Sequence, residues 1–470
     1  MEHPGPATPL RLDRLALFVG PLILVAALVL PPPADMTDEA WRASGLAALM
    51  ALWWLTEAIP LAATALLPIA LWPLVRGDSD PLPTATYAHP LIFLFLGGFL
   101  LARAIESAGL HRRLARATLS LAGQGSRQLL AAVMLLTGFL SLWVSNTASA
   151  MVMMPIAAAV AGEGRSNDRF AAALMLGVAF AATIGGMGSL IGTPPNALFA
   201  AYAAEILGVE IGFAEWALVG IPVSAILMAV AWAVLSVFLR RASGGIDADH
   251  LFGGLTPMSS AEVRVAVVAA LTALAWITRP LLQSRIGEDA ITDAGIAIAA
   301  AVALFILPAG NGRRLLEWEI AVGLRWDVLI LFGGGLALAQ IMSDSGLAEW
   351  IGGRMLGLGQ LPAPALILLF VAVVVLLGEL ASNTAMAAIF LPVAGAAAVA
   401  LDWDPVRFTL PIALAASVGF MLPVATPPNA IVFSHPAVTR RRMLIAGAPL
   451  DVVGMLVAAG LGYAMSGIVL

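Results

Sequence analysis

The chain has no cysteine and no lysine, and only 11% of its 470 residues are charged. Without cysteine, structural disulfides, thiolate metal sites and cysteine nucleophiles are all excluded. The five histidines (His3, His89, His111, His250, His435) are scattered, and no two share the i, i+4 relation of a helical metal site. What fills the chain instead is apolar: 61% of residues are hydrophobic and mean hydropathy is +0.96, far above a soluble domain. The apolar stretches are continuous runs of Ala, Leu, Val and Ile rather than short alternating segments, which excludes a β-barrel. The expected fold is therefore an all-α polytopic protein surrounded by membrane lipid. Its net charge of −5 gives no pointer to a nucleic-acid partner.

Arg11 and Arg14 precede an apolar stretch from Leu15 to Leu30 that is followed by Pro31, Pro32 and Pro33 rather than a small-residue cleavage pattern. That stretch is expected to be the first transmembrane helix and not a signal peptide. Eleven spans are expected, near 15–31, 44–57, 60–75, 90–110, 172–204 (interrupted), 215–239, 262–281, 290–309, 326–343, 408–438 (interrupted) and 443–468. Two more apolar stretches, 128–161 and 362–400, are too long for one crossing, since a hydrocarbon core needs about 20 residues. Each carries Ser-Asn-Thr at its middle, and a re-entrant hairpin with the triplet at its tip resolves both features. With a cytoplasmic N-terminus, eighteen arginines face inward and six outward, a strong positive-inside bias suited to a cell (inner) membrane. The same topology opens the two hairpins to opposite sides.

The two halves match in register. Gly97, Gly98, Gly109 and Leu110 map onto Gly334, Gly335, Gly346 and Leu347 at one constant offset, which also carries Ser145-Asn146-Thr147 onto Ser382-Asn383-Thr384 and Pro155 onto Pro392. A slightly shorter offset carries Thr193-Pro194-Pro195-Asn196 onto Thr426-Pro427-Pro428-Asn429. The expected organisation is an N-terminal segment (1–40), a first repeat (41–240), a cytoplasmic linker (241–261) and a second repeat of inverted topology (262–470).

A helix that starts at a hairpin tip offers unpaired N–H groups and the positive end of its dipole, both attractive to anions. Ser, Asn and Thr add neutral donors, and the Asn amide can donate to a carboxylate while its oxygen faces a cation. Successive prolines break the opposite helix and free carbonyls that can coordinate Na⁺. One such triplet is commonly a helix cap and one Pro-Pro a kink; both features, twice, at matched positions in apolar segments point to transport of an anion held between cations. Glu57, Arg103, Glu106 and Glu379 are further candidates for a direct role, Glu379 foremost because it precedes the second triplet by three residues. Trp41, Trp53, Trp54 and Trp72 are expected to be interface anchors.

The stretch from Trp53 to Leu61, the two triplets, the run Ile191 to Asn196 and the run Pro423 to Phe433 together resemble the divalent anion sodium symporter family over nearly the whole chain from about residue 40. The resemblance implies a homodimer with eleven spans and two hairpins per protomer, each protomer split into a scaffold and an elevator-type transport domain. It implies substrates such as C4-dicarboxylates, citrate or sulfate, with Asn146, Thr147, Ser382, Asn383, Thr384, Thr426 and Pro427 on the anion. It also implies one sodium site at Ser141, Ser145, Asn146 and Gly192, and a second at Gly378, Ala381, Asn383 and Ala425. Gly378 departs from the family, which commonly has Thr there, and Ser149 and Met386 replace a usual Thr two residues after each triplet.

No arginine is expected within reach of either tip, so a dianion would be screened only by helix ends, hydroxyls and bound cations. That expectation favours sodium-driven uptake of a C4-dicarboxylate; a sodium-independent anion exchanger on the same fold is the alternative. An enzyme is not expected, because no His or Lys accompanies Ser145 or Ser382 as a base.

Overall fold

The computed structural model describes residues 11–76, 83–121, 123, 125–162, 168–239, 257–287, 290–310 and 312–469. Most of the expected linker, residues 241–256, lies outside that set. The described chain is nearly all helix; a two-stranded antiparallel ribbon, Pro308–Gly310 with Arg313–Arg314, is its only sheet.

Among the described residues, seven helices are long and apolar enough to cross a membrane. One of the seven, Asn383–Ala400, falls within the second long apolar stretch, and the spans expected at 60–75, 290–309 and 408–438 are short or interrupted. The one expected at 60–75 divides into Leu61–Thr64 and Leu67–Arg76. The one expected from 44 begins earlier, as Asp38–Thr56, because the Thr37 side chain caps it by accepting from the Ala40 N–H with Asp38 and Glu39 in the first turn. Helix Arg11–Val29 packs on Asp38–Thr56 through small residues: a Cβ at Gly45 would stand 2.5 Å from Ala27 Cβ.

Both apolar stretches too long for one span are paired helices. The first hairpin is Ser126–Ser141 and Asn146–Ala161, the second Ala363–Gly378 and Asn383–Ala400, and in each the triplet begins the second limb. The two Thr-Pro-Pro stretches also interrupt helices. Asp168–Met187 is followed by Pro194–Ile206, and Pro405–Ala415 by Pro427–Phe433. Asp168–Met187 is the most enclosed of the long helices and touches both limbs of the first hairpin, helix Phe213–Phe238 and the short helix Pro427–Phe433. Elements from the two chain halves therefore interlock around one centre.

Two helices of more than two turns lie outside the expected spans and hairpins. Leu110–Leu121 and Leu347–Met355 each follow a long helix after a glycine in the left-handed region, Gly109 (φ 75°) and Gly346 (φ 77°). Two of the four tryptophans expected at the membrane interface are core residues instead: Trp54 is fully buried, with its indole N–H donating to the Leu61 carbonyl, and Trp72 is buried as well.

Candidate functional site

The two breaks are built alike. Asn196 is buried, and its Nδ2 donates to the Gly186 carbonyl at 3.1 Å and the Ser189 carbonyl at 2.8 Å. Asn429, equally buried, donates to the Gly419 carbonyl at 3.1 Å and the Leu422 carbonyl at 3.0 Å, at the same sequence separations. Each Asn ties down carbonyls of the break itself, where the chain has left the helical ladder. The second break has additional support. Glu379 accepts from the N–H groups of Met421 (3.0 Å) and Leu422 (2.7 Å), and Asp451 accepts from that of Phe420 (3.0 Å). Glu379 is thus buried behind the site as a brace and does not line it.

Both triplets and both Thr-Pro-Pro stretches meet at one cavity of about 530 Å³. Its lining includes Ser145, Asn146, Thr147, Gly192, Ala381, Ser382, Asn383, Thr384, Ala425, Thr426 and Pro427, so eleven expected positions come together. Ser141 and Gly378 do not reach it. Ser141 lies fully buried behind Asn146, and Gly378 is buried near Met386 and Val418. Helices Asn146–Ala161 and Asn383–Ala400 begin at the cavity, so their first N–H groups have no partner within the helix. The arrangement offers an anion neutral donors and two helix N-termini.

The oxygen atoms beside Asn146 fit a cation. One end of its amide faces Ser141 Oγ at 2.7 Å, the Ala182 carbonyl at 3.1 Å and the Gly192 carbonyl at 3.2 Å. With the amide nitrogen turned toward them it donates to all three; with Oδ1 there, four oxygens converge, a donor set suited to a hard cation such as Na⁺. At the matching place in the second half, Asn383 Oδ1 is buried without a hydrogen-bond partner among the described residues, and Gly378 stands where the first half has Ser141.

The cavity also contains groups not anticipated from sequence. Arg325 lines it, correcting the expectation that no arginine is within reach, although its guanidinium is already bidentate on Asp327 (2.9 and 2.8 Å). Phe95, Phe99 and Thr193 line it as well, and so does Glu57, one of the carboxylates singled out from sequence, with a left-handed backbone (φ 48°). Thr193 was deducible as the repeat mate of Thr426; Arg325, Phe95 and Phe99 carried no such signal. A second cavity of about 560 Å³, between Ser126–Ser141 and Phe213–Phe238, is apolar. There Ser224 and Trp232 already donate to the carbonyls of Ile184 and Arg127, leaving no donor for an anion.

A helical, multi-pass fold with one polar cavity between broken helices defines a membrane transporter. The chain belongs to the family described as the sodium:sulfate symporter transmembrane region, whose model matches residues 12–470. It is 39% identical over 458 residues to the sodium-dependent dicarboxylate transporter SdcS of Staphylococcus saprophyticus, covering 92% of this chain and 87% of that protein. It is 38% identical over 480 residues to SdcS of Staphylococcus aureus, covering 97% and 92%. Among solved structures, the YdaH transporter of Alcanivorax borkumensis superposes with a TM-score of 0.61 at 16% identity, covering 98% of this chain and 99% of that one. Neisseria gonorrhoeae MtrF superposes with a TM-score of 0.59 at 15% identity, covering 98% and 95%. At such identities these two likenesses concern the fold alone.

Proposed function

We propose that the protein takes up a C4-dicarboxylate such as succinate, malate or fumarate together with sodium ions. The observation that carries this reading is the single cavity of about 530 Å³ in which both triplets and both Thr-Pro-Pro stretches meet, with a cluster of oxygens directly behind Asn146. The dependence on sodium and the dicarboxylate cargo named for the SdcS relatives agree with it. In this reading Asn146, Thr147, Ser382, Asn383, Thr384, Thr426 and Pro427 hold the anion. Ser141, Ser145, Asn146 and Gly192 hold one sodium ion, and Ala381, Asn383 and Ala425 a second beside Gly378. Bound sodium organises both tips and lowers the cost of placing a dianion there, which couples the two ligands. If the cations outnumber the anion's charge, the membrane potential contributes about 2.3 kcal/mol per net charge per 100 mV.

The same reading takes residues 41–240 and 262–470 as inverted repeats, supported by the matched Asn196 and Asn429 contacts. It assigns the protein to the cell membrane with a cytoplasmic N-terminus, as a homodimer whose hairpins and broken helices move as an elevator domain against a scaffold. Arg325 in the lining favours one rival, a sodium-independent exchanger in which a fixed cation meets the anion.

Uptake of labelled succinate into proteoliposomes separates the two. Symport requires an inward Na⁺ gradient and no internal anion; uptake that depends only on internal anion would establish exchange. Asn146→Ala and Asn383→Ala are each expected to abolish transport, and full activity in both would remove the site.

A further inference from the structure

Helix Leu110–Leu121 has two unlike faces. Leu110 and Ala115 are buried, while Arg112 and Arg116, one turn apart on the opposite side, are exposed. The third arginine is already engaged: Arg113 meets both Glu262 carboxylate oxygens (2.9 and 3.3 Å) and the Pro257 carbonyl (3.0 Å). The side chains of Arg112 and Arg116 make no hydrogen bond or ion pair among the described residues. They border two adjoining hollows. One, of about 300 Å³, is polar and includes Ser259 and Glu262. The other, of about 400 Å³, is walled by Met151, Val152, Pro155 and Ile156 from the second limb of the first hairpin.

The matched helix of the second half lacks this pattern. At the constant offset of the repeat, Glu349, Trp350 and Gly353 stand where Arg112, Arg113 and Arg116 do. Its Arg354 lies over the Trp350 ring at 5.0 Å. The basic groove therefore occurs in one half only, on the arginine-rich side that charge distribution assigns to the cytoplasmic leaflet, where anionic lipids concentrate.

We propose that Arg112 and Arg116 bind the phosphate of an anionic phospholipid whose acyl chains lie along Met151, Val152, Pro155 and Ile156. Guanidinium groups suit phosphate oxygens, and a charged mouth above an apolar wall matches an amphiphile rather than a free ion. The lipid would tie the amphipathic helix to the second limb of the hairpin. This inference rests on membrane placement and not on the proposed cargo.

The test titrates the purified full-length protein in neutral detergent with short-chain phosphatidylglycerol, short-chain phosphatidylcholine or inorganic phosphate, reading the thermal unfolding midpoint. Phosphatidylglycerol is expected to raise it saturably, and the other two are not. Loss of roughly a fivefold factor in affinity per arginine is expected, so R112Q/R116Q should need on the order of thirty times more phosphatidylglycerol. Met151→Glu, at an exposed position on the apolar wall, should weaken the response with both arginines in place, which keeps the test decisive should the arginine variant fold poorly. Arg354→Gln should respond like the parent protein. The proposal is overturned if both groove variants titrate like the parent, if phosphatidylcholine matches phosphatidylglycerol, or if inorganic phosphate alone reproduces the shift.

Discussion

Ser141 and Gly378 hold the same place in the two halves, and one hydroxyl separates them. Behind Asn146 that hydroxyl is 2.7 Å from the amide, whereas Asn383 Oδ1 is buried and unpartnered. A Cβ at Gly378 would meet only Met386 Cγ at 3.8 Å and the Val418 carbonyl at 4.0 Å, ordinary contacts, so a serine fits. No atom of Asn383 lies within 4 Å of that Cβ, so an added hydroxyl acts as a ligand to a bound cation and not on Oδ1 directly; with one such contact worth about 0.5–1.5 kcal/mol, Gly378→Ser is expected to lower the half-saturating Na⁺ concentration for uptake by up to about tenfold. An unchanged sodium dependence would remove Asn383 from any cation site. Gly192 presents the reverse case. A Cβ there would lie 2.4 Å from the Gly186 carbonyl oxygen and 2.9 Å from that of Ser141, while its mate Ala425 already carries one. Gly192→Ala should cost about 1–3 kcal/mol and lower both the unfolding midpoint and sodium-dependent uptake. Ala425→Gly should retain uptake; equal loss from both substitutions would contradict the packing argument. These asymmetries were legible in the sequence because each position has a repeat mate to compare with. Arg325 has no such marker: it is far along the chain from both triplets, and only the packing of helix Trp326–Asp344 brings its first turn to the cavity.

At the scale of elements, the two breaks use different supports for the same purpose. In the first, Ser189 Oγ donates to the Leu142 carbonyl (2.5 Å) and Trp216 Nε1 to the Met187 carbonyl (3.0 Å). In the second, a carboxylate takes over, Glu379 receiving two backbone N–H groups. Hydrogen bonds to charged groups contribute about 1.5–3 kcal/mol, and a Gln amide offers one acceptor oxygen where the carboxylate offers two. Glu379→Gln should therefore lower the unfolding midpoint and weaken uptake, with sodium and succinate both binding less tightly because Leu422 and Ala425 belong to the displaced segment. Loss of succinate affinity with full stability would instead indicate direct contact with the anion. The outer ends of the paired helices fall within two residues of the apolar stretches read from sequence, since a continuous apolar run with a central polar triplet breaks at the triplet. Leu110–Leu121 was not read as an element, because three arginines in seven residues resemble a loop to any scan that averages hydropathy. Its period, with Leu110 and Leu114 one turn apart, was the signal available.

For the whole molecule, the two halves are joined by more than the cavity. Arg279, on helix Ser260–Ile286, lies 3.1 Å from Asp293 and 3.4 Å from Glu215, and Asp293 in turn accepts from the Phe213 N–H at 2.8 Å. Phe213 stacks on Trp276 with ring centroids 4.5 Å apart and on Trp143, near the first hairpin tip, at 6.0 Å. Glu215 and Phe213 belong to the first half, Arg279 and Asp293 to the second, so this cluster fixes one half against the other beside a tip. Nothing in the sequence pairs these residues: Arg279 has a repeat mate in Arg42, but neither Asp293 nor Glu215 has an acidic mate at the repeat offset, and Glu215 lies in the other half of the chain. Asp293 is only 6% exposed, so losing its cation leaves a buried carboxylate without compensation. Arg279→Leu is expected to destabilise the fold by about 3–5 kcal/mol. Arg279→Leu with Asp293→Asn should recover much of that loss, because the amide removes the charge and still accepts from the Phe213 N–H. Thermal unfolding of the single and double variants in detergent measures the difference. If the double variant is as unstable as the single one, the cluster acts through the packing of the arginine stem and not through its charge.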